Sequence, residues 1–204
     1  LGKSSSISLW PSVGNFILAG SQNSNRTHYI LDEDGEITDS KNTHGYYRTY
    51  TWNEHDSRIY FINYSELHYQ TINQTLGHFS EQGYIRNDHW ISHPIRIFED
   101  GRNAITGNGI AFDLVSEQSL VNLGQQFIDV MPMSEQFISI ENNVSPKLKI
   151  WQLENFTLLT ELDVEGNLLA LTPNGEELNL ITSLTDGALN ISPIGIVDKD
   201  NDGL

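Results

Sequence analysis

The feature that most constrains the fold of this chain is a repeated pair of apolar, strand-like runs separated by a short turn. The five copies begin at Ile7, Tyr47, Ile95, Ile128 and Leu168. The second run of each copy begins at Phe16, Ile59, Ala104, Phe137 and Leu178. The intervals between these second runs are 43, 45, 33 and 41 residues. Self-similarity at roughly 40–45 residues is typical of four-stranded units that stack on their neighbours.

The periodicity within the copies is that of β-strands. Apolar and polar residues alternate in residues 7–10, 128–131 and 147–152, which is the period-2 pattern of a strand with one buried face. Turn dipeptides such as Asp100-Gly101 and Asn174-Gly175 separate the runs, and such pairs suit tight hairpins. Because no stretch shows a clean helical period over twelve residues, we predict a nearly all-β chain.

The repeats resemble the degenerate blades of WD40-like and YVTN-like β-propellers, most closely in the Leu-Thr-Pro-Asn-Gly-Glu-Glu-Leu run of residues 171–178. No Trp-Asp dipeptide ends a repeat and no Gly-His opens one, so the resemblance carries no functional residue with it. It implies an all-β, propeller-like array of about five short blades over residues 1–197. A β-sandwich, which also gives short strands at regular spacing, is the alternative.

Composition excludes several classes of function. The net charge is −16, and the 11 Lys and Arg residues never cluster, so nucleic acid and anionic membranes are poor partners. No apolar run approaches the roughly 20 residues of a membrane span, and we expect no integral membrane protein. The absence of cysteine rules out disulfides, thiolate zinc sites and thiol catalysis, and it favours a bacterial or intracellular origin.

The last seven residues, 198–204, form a separate acidic segment. Asp198, Asp200 and Asp202 alternate and Gly203 follows, a spacing that lets carboxylates converge on Ca²⁺. The segment resembles the start of a thrombospondin type 3 repeat or of an EF-hand-like loop. The bidentate Glu of such a loop would fall beyond Leu204, so we expect an incomplete calcium site and a linker. The resemblance implies a module of a larger, secreted bacterial protein, joined to neighbouring domains.

The longest connection between repeats, residues 77–94, is the predicted ligand-binding surface. Loops on a rigid scaffold often carry function, and this one combines aromatic, charged and imidazole side chains. The candidate ligand-binding residues are His78, Tyr84, Arg86, Asp88, His89, Trp90 and His93. His89 and His93 would lie about 13 Å apart on a strand, too far to chelate one metal ion.

Aromatic residues in the second copy, residues 46–56, form a second candidate surface. In a stacked-sheet fold such side chains more often fill the space between sheets, and we favour a core role for them. No nucleophile elbow and no phosphate-binding loop occurs in the sequence.

These features predict a non-catalytic interaction module that is extracellular, at the cell surface or periplasmic, and that recognises a protein, a peptide or a glycan. The alternatives are a carbohydrate-active hydrolase or lyase domain, with carboxylates at a cleft, and a purely structural spacer. A cleft lined by carboxylates would favour the enzyme, an aromatic-walled surface the interaction module, and a flat surface the spacer.

Overall fold

The structure is a computed structural model, which describes residues 7–13, 15–21, 27–42, 50–133, 135–141, 147–164, 167–174, 177–183 and 188–194. Within these residues the chain forms nineteen β-strands and no helix, as the alternating pattern predicts. The described residues accordingly contain no helix that is long and apolar enough to cross a membrane.

Strands β1 to β12 form the first three sheets. Sheet 1 comprises β1 (Ile7–Val13), β2 (Phe16–Ser21), β3 (Thr27–Leu31) and β4 (Ile37–Asn42). Sheet 2 comprises β5 (Thr51–Asn53), β6 (Arg58–Asn63), β7 (Glu66–Asn73) and β8 (His78–Ile85). Sheet 3 comprises β9 (Ile95–Ile97), β10 (Asn103–Thr106), β11 (Ile110–Asp113) and β12 (Gln118–Asn122).

Strands β13 to β19 form the last two sheets. Sheet 4 comprises β13 (Phe127–Pro132), β14 (Gln136–Glu141), β15 (Lys147–Gln152) and β16 (Leu158–Asp163). Sheet 5 comprises, within the described residues, β17 (Asn167–Asn174), β18 (Glu177–Ser183) and β19 (Leu189–Ile194).

Every sheet is an antiparallel meander, in which each strand pairs with its neighbours in sequence. The five repeated pairs of runs are the first two strands of the five sheets, so the repeat is confirmed. Sheet 3, whose strands have three, four, four and five residues, is the abbreviated unit that the short interval predicts. Five separate small sheets, rather than two large ones, remove the β-sandwich alternative.

The chain divides into two compact units, residues 1–124 and residues 125–204. In the first unit, sheets 2 and 3 share a core of eleven buried residues, with Tyr60 and Leu67 on one side and Phe112 on the other. Sheets 1 and 2 share a smaller core built on Leu18, Ile30, Ile59 and Ile72. In both cores the buried side chains come from alternate strand positions, as a two-faced sheet requires.

The second unit holds a core between sheets 4 and 5, formed by Ile138, Ile140, Leu148, Leu171 and Leu180. The opposite face of sheet 4 carries an aromatic group in which the Trp151 and Phe137 rings stack 5.7 Å apart. Trp151 Nε1 donates to Ser139 Oγ at 2.8 Å, so the buried indole N–H is satisfied.

About half of the segment predicted as one long connection, residues 77–94, is a β-strand. Residues 78–85 form β8, the outer strand of sheet 2, and the connection proper is residues 86–94. The sequence pattern does not predict this strand because Ser80, Glu81 and Gln82 occupy exposed positions of an outer strand. Burial imposes no apolar alternation at such positions.

The aromatic residues of the second candidate surface belong to the core where the structure describes them. Tyr50 and Trp52 pack, half-buried, against the core between sheets 1 and 2, which confirms the core role. Residues 46–49 lie outside the described residues.

Candidate functional site

Exposed aromatic and charged side chains collect where three connections meet at one end of sheets 2 and 3. Strand pairing puts the β6–β7 turn (residues 64–65), the end of β8 and the start of β9 at the same end. The β10–β11 turn (residues 107–109) faces the start of β9 there, because Thr106 pairs with Ile95. We call this surface the aromatic rim, and it comprises Tyr64, Tyr84, Arg86, Asp88, His89 and Trp90.

The asparagine side chain of Asn87 ties the connection to the turn of sheet 2. Asn87 Nδ2 donates to Ser65 O at 2.9 Å, and Asn87 Oδ1 accepts from His89 N at 2.8 Å. One side chain thus bonds the backbone of two loops, which fixes their relative position.

A second asparagine, Asn108, holds the connection to sheet 3. Its Oδ1 accepts from Ser92 N at 3.1 Å, and its Nδ2 donates to the carbonyl of Trp90. Gly107 N donates to Ser92 O at 2.8 Å beside it. The backbone on both sides of Trp90 is therefore anchored to the sheets.

Gly107 allows this close approach of the two chains. A Cβ at Gly107 would lie 1.9 Å from the carbonyl oxygen of His93, a distance that no side chain tolerates. Since the obstacle is backbone rather than a flexible side chain, only glycine fits at this position.

Two aromatic side chains of the rim project into solvent. Trp90 and Tyr64 are each 69% exposed, whereas aromatic side chains usually bury most of their surface. Tyr64 stands in a tight turn with a φ of 57°, a conformation that is unusual for a bulky residue. Exposed aromatic side chains on an anchored backbone are typical of interaction surfaces, where Trp and Tyr supply most of the binding energy.

Tyr84 is the outer member of a column of rings across sheet 2. Phe61, His68 and Tyr84 are paired residues on β6, β7 and β8, with stacked rings 5.7 and 5.5 Å apart. The guanidinium of Arg86 lies 5.9 Å from the Tyr84 ring centre. Burial lowers the pKa of His68, so the middle ring is neutral near pH 7. The stacked rings of Phe61 and His68 therefore hold one face of the Tyr84 ring against the sheet.

Six of the seven predicted ligand-binding residues lie at this end of sheet 2. Tyr84, Arg86, Asp88, His89 and Trp90 are exposed there, and His93 is half-buried. His78 is separated from them because it begins β8, at the opposite end of an eight-residue strand. That strand spans roughly 24 Å. His78 Nδ1 instead lies 3.6 Å from Asp39 Oδ2.

Tyr64 is a rim residue that sequence reasoning missed. It occupies the position between the apolar runs of β6 and β7, where turn residues such as Gly or Asn are usual. An aromatic residue at a turn position was the signal that could have identified it.

No group of three or more metal-ligating side chains occurs in the part of the chain that the structure describes. The predicted calcium ligands Asp198, Asp200 and Asp202 lie outside it. The calcium site accordingly stays a prediction.

No family model matches the sequence, and no curated protein matches it. Solved structures do match, at low sequence identity. The Dos1 propeller is 15% identical with a TM-score of 0.69, over 87% of this chain and 53% of that one. A chain of the mitotic checkpoint complex is 16% identical with a TM-score of 0.71, over 94% and 62%.

Dihydro-heme d1 dehydrogenase NirN matches with 11% identity and a TM-score of 0.70, over 87% of this chain and 43% of that one. The chain thus spans about half the length of the solved structures it matches. At these identities the similarity shows the fold, and the chain is an all-β, propeller-like array of small antiparallel sheets. Activity does not follow from a shared fold.

Proposed function

We propose that this chain is a non-catalytic interaction module whose aromatic rim binds a basic peptide segment of a partner protein. The observation that carries the proposal is the pair of largely exposed aromatic side chains, Trp90 and Tyr64. Both stand on backbone that the Asn87 side chain and the Asn108 side chain anchor.

Anchoring matters because binding loses less entropy when the surface is already ordered. An immobilised side chain or loop otherwise costs affinity. The Asn87 and Asn108 bonds hold both connections in place before any partner arrives, so the rim presents its aromatic faces without reorganisation.

Charge indicates what kind of peptide fits. The chain carries a net charge of −16, and such a field attracts and orients cationic partners. The face of Trp or Tyr also attracts Lys and Arg side chains by the cation–π interaction. Exposed Asp88 and half-exposed Glu66 add carboxylates near the rim. A peptide with two or more Lys or Arg residues therefore fits better than an acidic or neutral one.

The cellular setting is a further part of the proposal. The resemblance of residues 198–204 to a calcium repeat supports a module that works extracellularly, at the cell surface or in the periplasm, within a larger bacterial protein. A glycan ligand, which aromatic faces also suit, is the outcome that the experiment separates from a peptide.

The test pans a displayed random-peptide library against the purified chain and probes a glycan array in parallel. We expect enrichment of Lys- and Arg-containing peptides that bind with micromolar affinity. Trp90→Ala should weaken them at least tenfold, and Tyr64→Ala threefold or more, because central aromatic anchors carry most of the energy. Binding is measured by titration calorimetry.

Leu76→Ala is the matched control, because Leu76 is 61% exposed in the β7–β8 turn at the opposite end of the same sheet. It should leave peptide affinity unchanged. Peptides that bind both aromatic variants as tightly as the parent chain would refute the rim as the site. Enrichment of neither peptides nor glycans would leave the spacer as the function.

A further inference from the structure

A cavity of about 310 Å³ opens between sheets 4 and 5, within the second unit. Leu148 and Leu162, which pair across β15 and β16, line it from sheet 4. Leu180 and Thr182 line it from β18. Its volume lies at the lower end of the range of small-molecule sites, so it suits a ligand of one or two rings.

The cavity exists because β18 and β19 supply too little side-chain volume to fill the space beside Leu148 and Leu162. Leu180 and Thr182 lie at alternate positions of β18 and both line the cavity. The β19 partners of Leu180 and Thr182 are the small polar residues Ser192 and Asn190. Leu162 is 46% exposed and Asn190 is exposed, so the cavity opens to solvent on this side.

Thr182 gives the cavity its chemical character. The residue is only 3% exposed, and its Oγ1 has no hydrogen-bond partner among the described residues. Buried hydroxyl groups in native proteins are nearly always bonded. An unpaired one on a cavity wall is therefore a polar contact available to a ligand.

The other walls define what such a ligand looks like. Leu148, Leu162 and Leu180 provide an apolar surface that suits a flat hydrocarbon ring. Asn190 Nδ2 already donates to Ser192 Oγ at 2.9 Å, so these two groups largely satisfy each other. The Asp163 carboxylate on the wall disfavours an anion and favours a hydrogen-bond donor.

We propose that this cavity binds a neutral aryl group with a single hydroxyl or N–H donor, such as a phenol or an indole ring. The ring lies against the leucines, and the donor bonds to Thr182 Oγ1. The group can belong to a free small molecule or to a tyrosine or tryptophan side chain of a peptide. This site is separate from the aromatic rim and does not depend on the proposed function.

The test compares 4-ethylphenol with ethylbenzene, which has nearly the same shape but no donor. Binding is measured by ligand-detected NMR titration of the purified chain. We expect 4-ethylphenol to bind roughly threefold to tenfold more tightly than ethylbenzene, the contribution of one net hydrogen bond. Thr182→Val keeps the side-chain shape and should abolish this preference while ethylbenzene binds as before.

A second variant keeps the test decisive if Thr182→Val does not fold. Leu162→Phe adds volume from a residue that is 46% exposed, and it should weaken both probes at least fivefold by filling the cavity. Leu76→Ala, at an exposed turn of the first unit, should affect neither probe. Equal affinity for the two probes, or an unchanged phenol preference in Thr182→Val, would overturn the proposal. So would the absence of binding at millimolar concentration.

A third probe distinguishes the two sources of the aryl group. The capped tripeptide acetyl-Gly-Tyr-Gly-amide carries the same phenol on a peptide backbone. Binding that equals 4-ethylphenol and requires Thr182 supports a peptide side chain as the ligand. Binding of 4-ethylphenol alone supports a free small molecule.

Discussion

The interface between sheets 2 and 3 and the interface between sheets 4 and 5 solve the same packing problem differently. The first buries eleven residues in one apolar cluster. Among the described residues, the second buries five and leaves a cavity of about 310 Å³ beside them. The repeated strand pattern is the same in both, so the difference comes from the side chains that face each other.

The two interfaces also differ in how the hydrogen bonds of their polar side chains are satisfied. Between sheets 2 and 3, Glu117 Oε1 accepts from Tyr69 Oη at 2.7 Å and from Arg58 Nη1 at 3.1 Å. The Arg58 guanidinium also lies 4.0 Å from the Tyr69 ring centre. Between sheets 4 and 5, Leu171 N donates to Asp129 Oδ2 at 3.3 Å, but Thr182 Oγ1 has no partner among the described residues. The first interface thus holds a charged hydrogen-bond network, whereas the second leaves one buried hydroxyl beside the cavity.

The largest expected effect is that of matched leucine substitutions on the free energy of unfolding. Leu67→Ala removes a fully buried side chain from the core between sheets 2 and 3, and it should lower the free energy of unfolding by about 4 kcal/mol. Leu180→Ala, at the existing cavity, should cost about 2 kcal/mol because fewer contacts are lost. Urea unfolding of both variants measures the difference. Equal losses would show that the two interfaces are packed alike.

A pH effect is expected next, at the interface between sheets 1 and 2. Burial lowers the pKa of His28 to about 4. His28 Nδ1 donates to Gln70 Oε1 at 2.7 Å, and Nε2 accepts from the Tyr50 hydroxyl. The unfolded chain, with a histidine pKa near 6.5, binds the proton more readily. Neutral His28 therefore contributes its full stabilisation above pH 6.5. The free energy of unfolding falls by about 3 kcal/mol as the pH falls toward 4.

Urea unfolding between pH 7 and pH 4.5 tests this dependence. His28→Gln removes the titrating group and should flatten the pH dependence relative to the parent chain. His89→Gln, at an exposed position, should keep the parent slope. A parent slope in His28→Gln would show that other groups, such as the carboxylates, account for the loss.

The smallest effects come from removing one hydroxyl at each interface, and they should have opposite signs. Tyr69→Phe removes a bonded hydroxyl and should lower the free energy of unfolding by about 1 kcal/mol. Thr182→Val removes an unpaired one and should raise it by about 1 kcal/mol. Thermal unfolding of the two variants measures the signs. A loss of stability in Thr182→Val would mean that the hydroxyl is bonded in solution.

The strand array could be predicted from sequence because each repeat carries its own pattern. Ala104 and Phe137 begin apolar runs after turns, and both lie in the second strand of a sheet. Trp52 was correctly predicted as a core residue. β8 was missed because an outer strand with Ser80 and Glu81 at exposed positions has no apolar alternation to reveal it.

The sites were harder to predict because they depend on neighbours that are distant in sequence. Trp90 was identified as a candidate from the composition of its loop alone. The Asn108 contact that anchors it comes from the next sheet. Thr182 continues the alternation of Leu178 and Leu180, so the strand pattern is that of a filled core. The cavity also depends on Asn190 and Ser192, which come from a later strand and pair with Thr182 and Leu180.

The meander topology has a consequence for how the chain acquires its structure. Each sheet forms from one contiguous stretch, such as Thr51–Ile85 for sheet 2, so its strand pairs close only short loops. Short loops cost little chain entropy and form quickly. At a synthesis rate of about 5–20 residues per second, a ribosome would release one complete sheet every few seconds. Within each unit, a newly made sheet then has a folded sheet to pack against, which shortens the time for which its apolar face is exposed to aggregation.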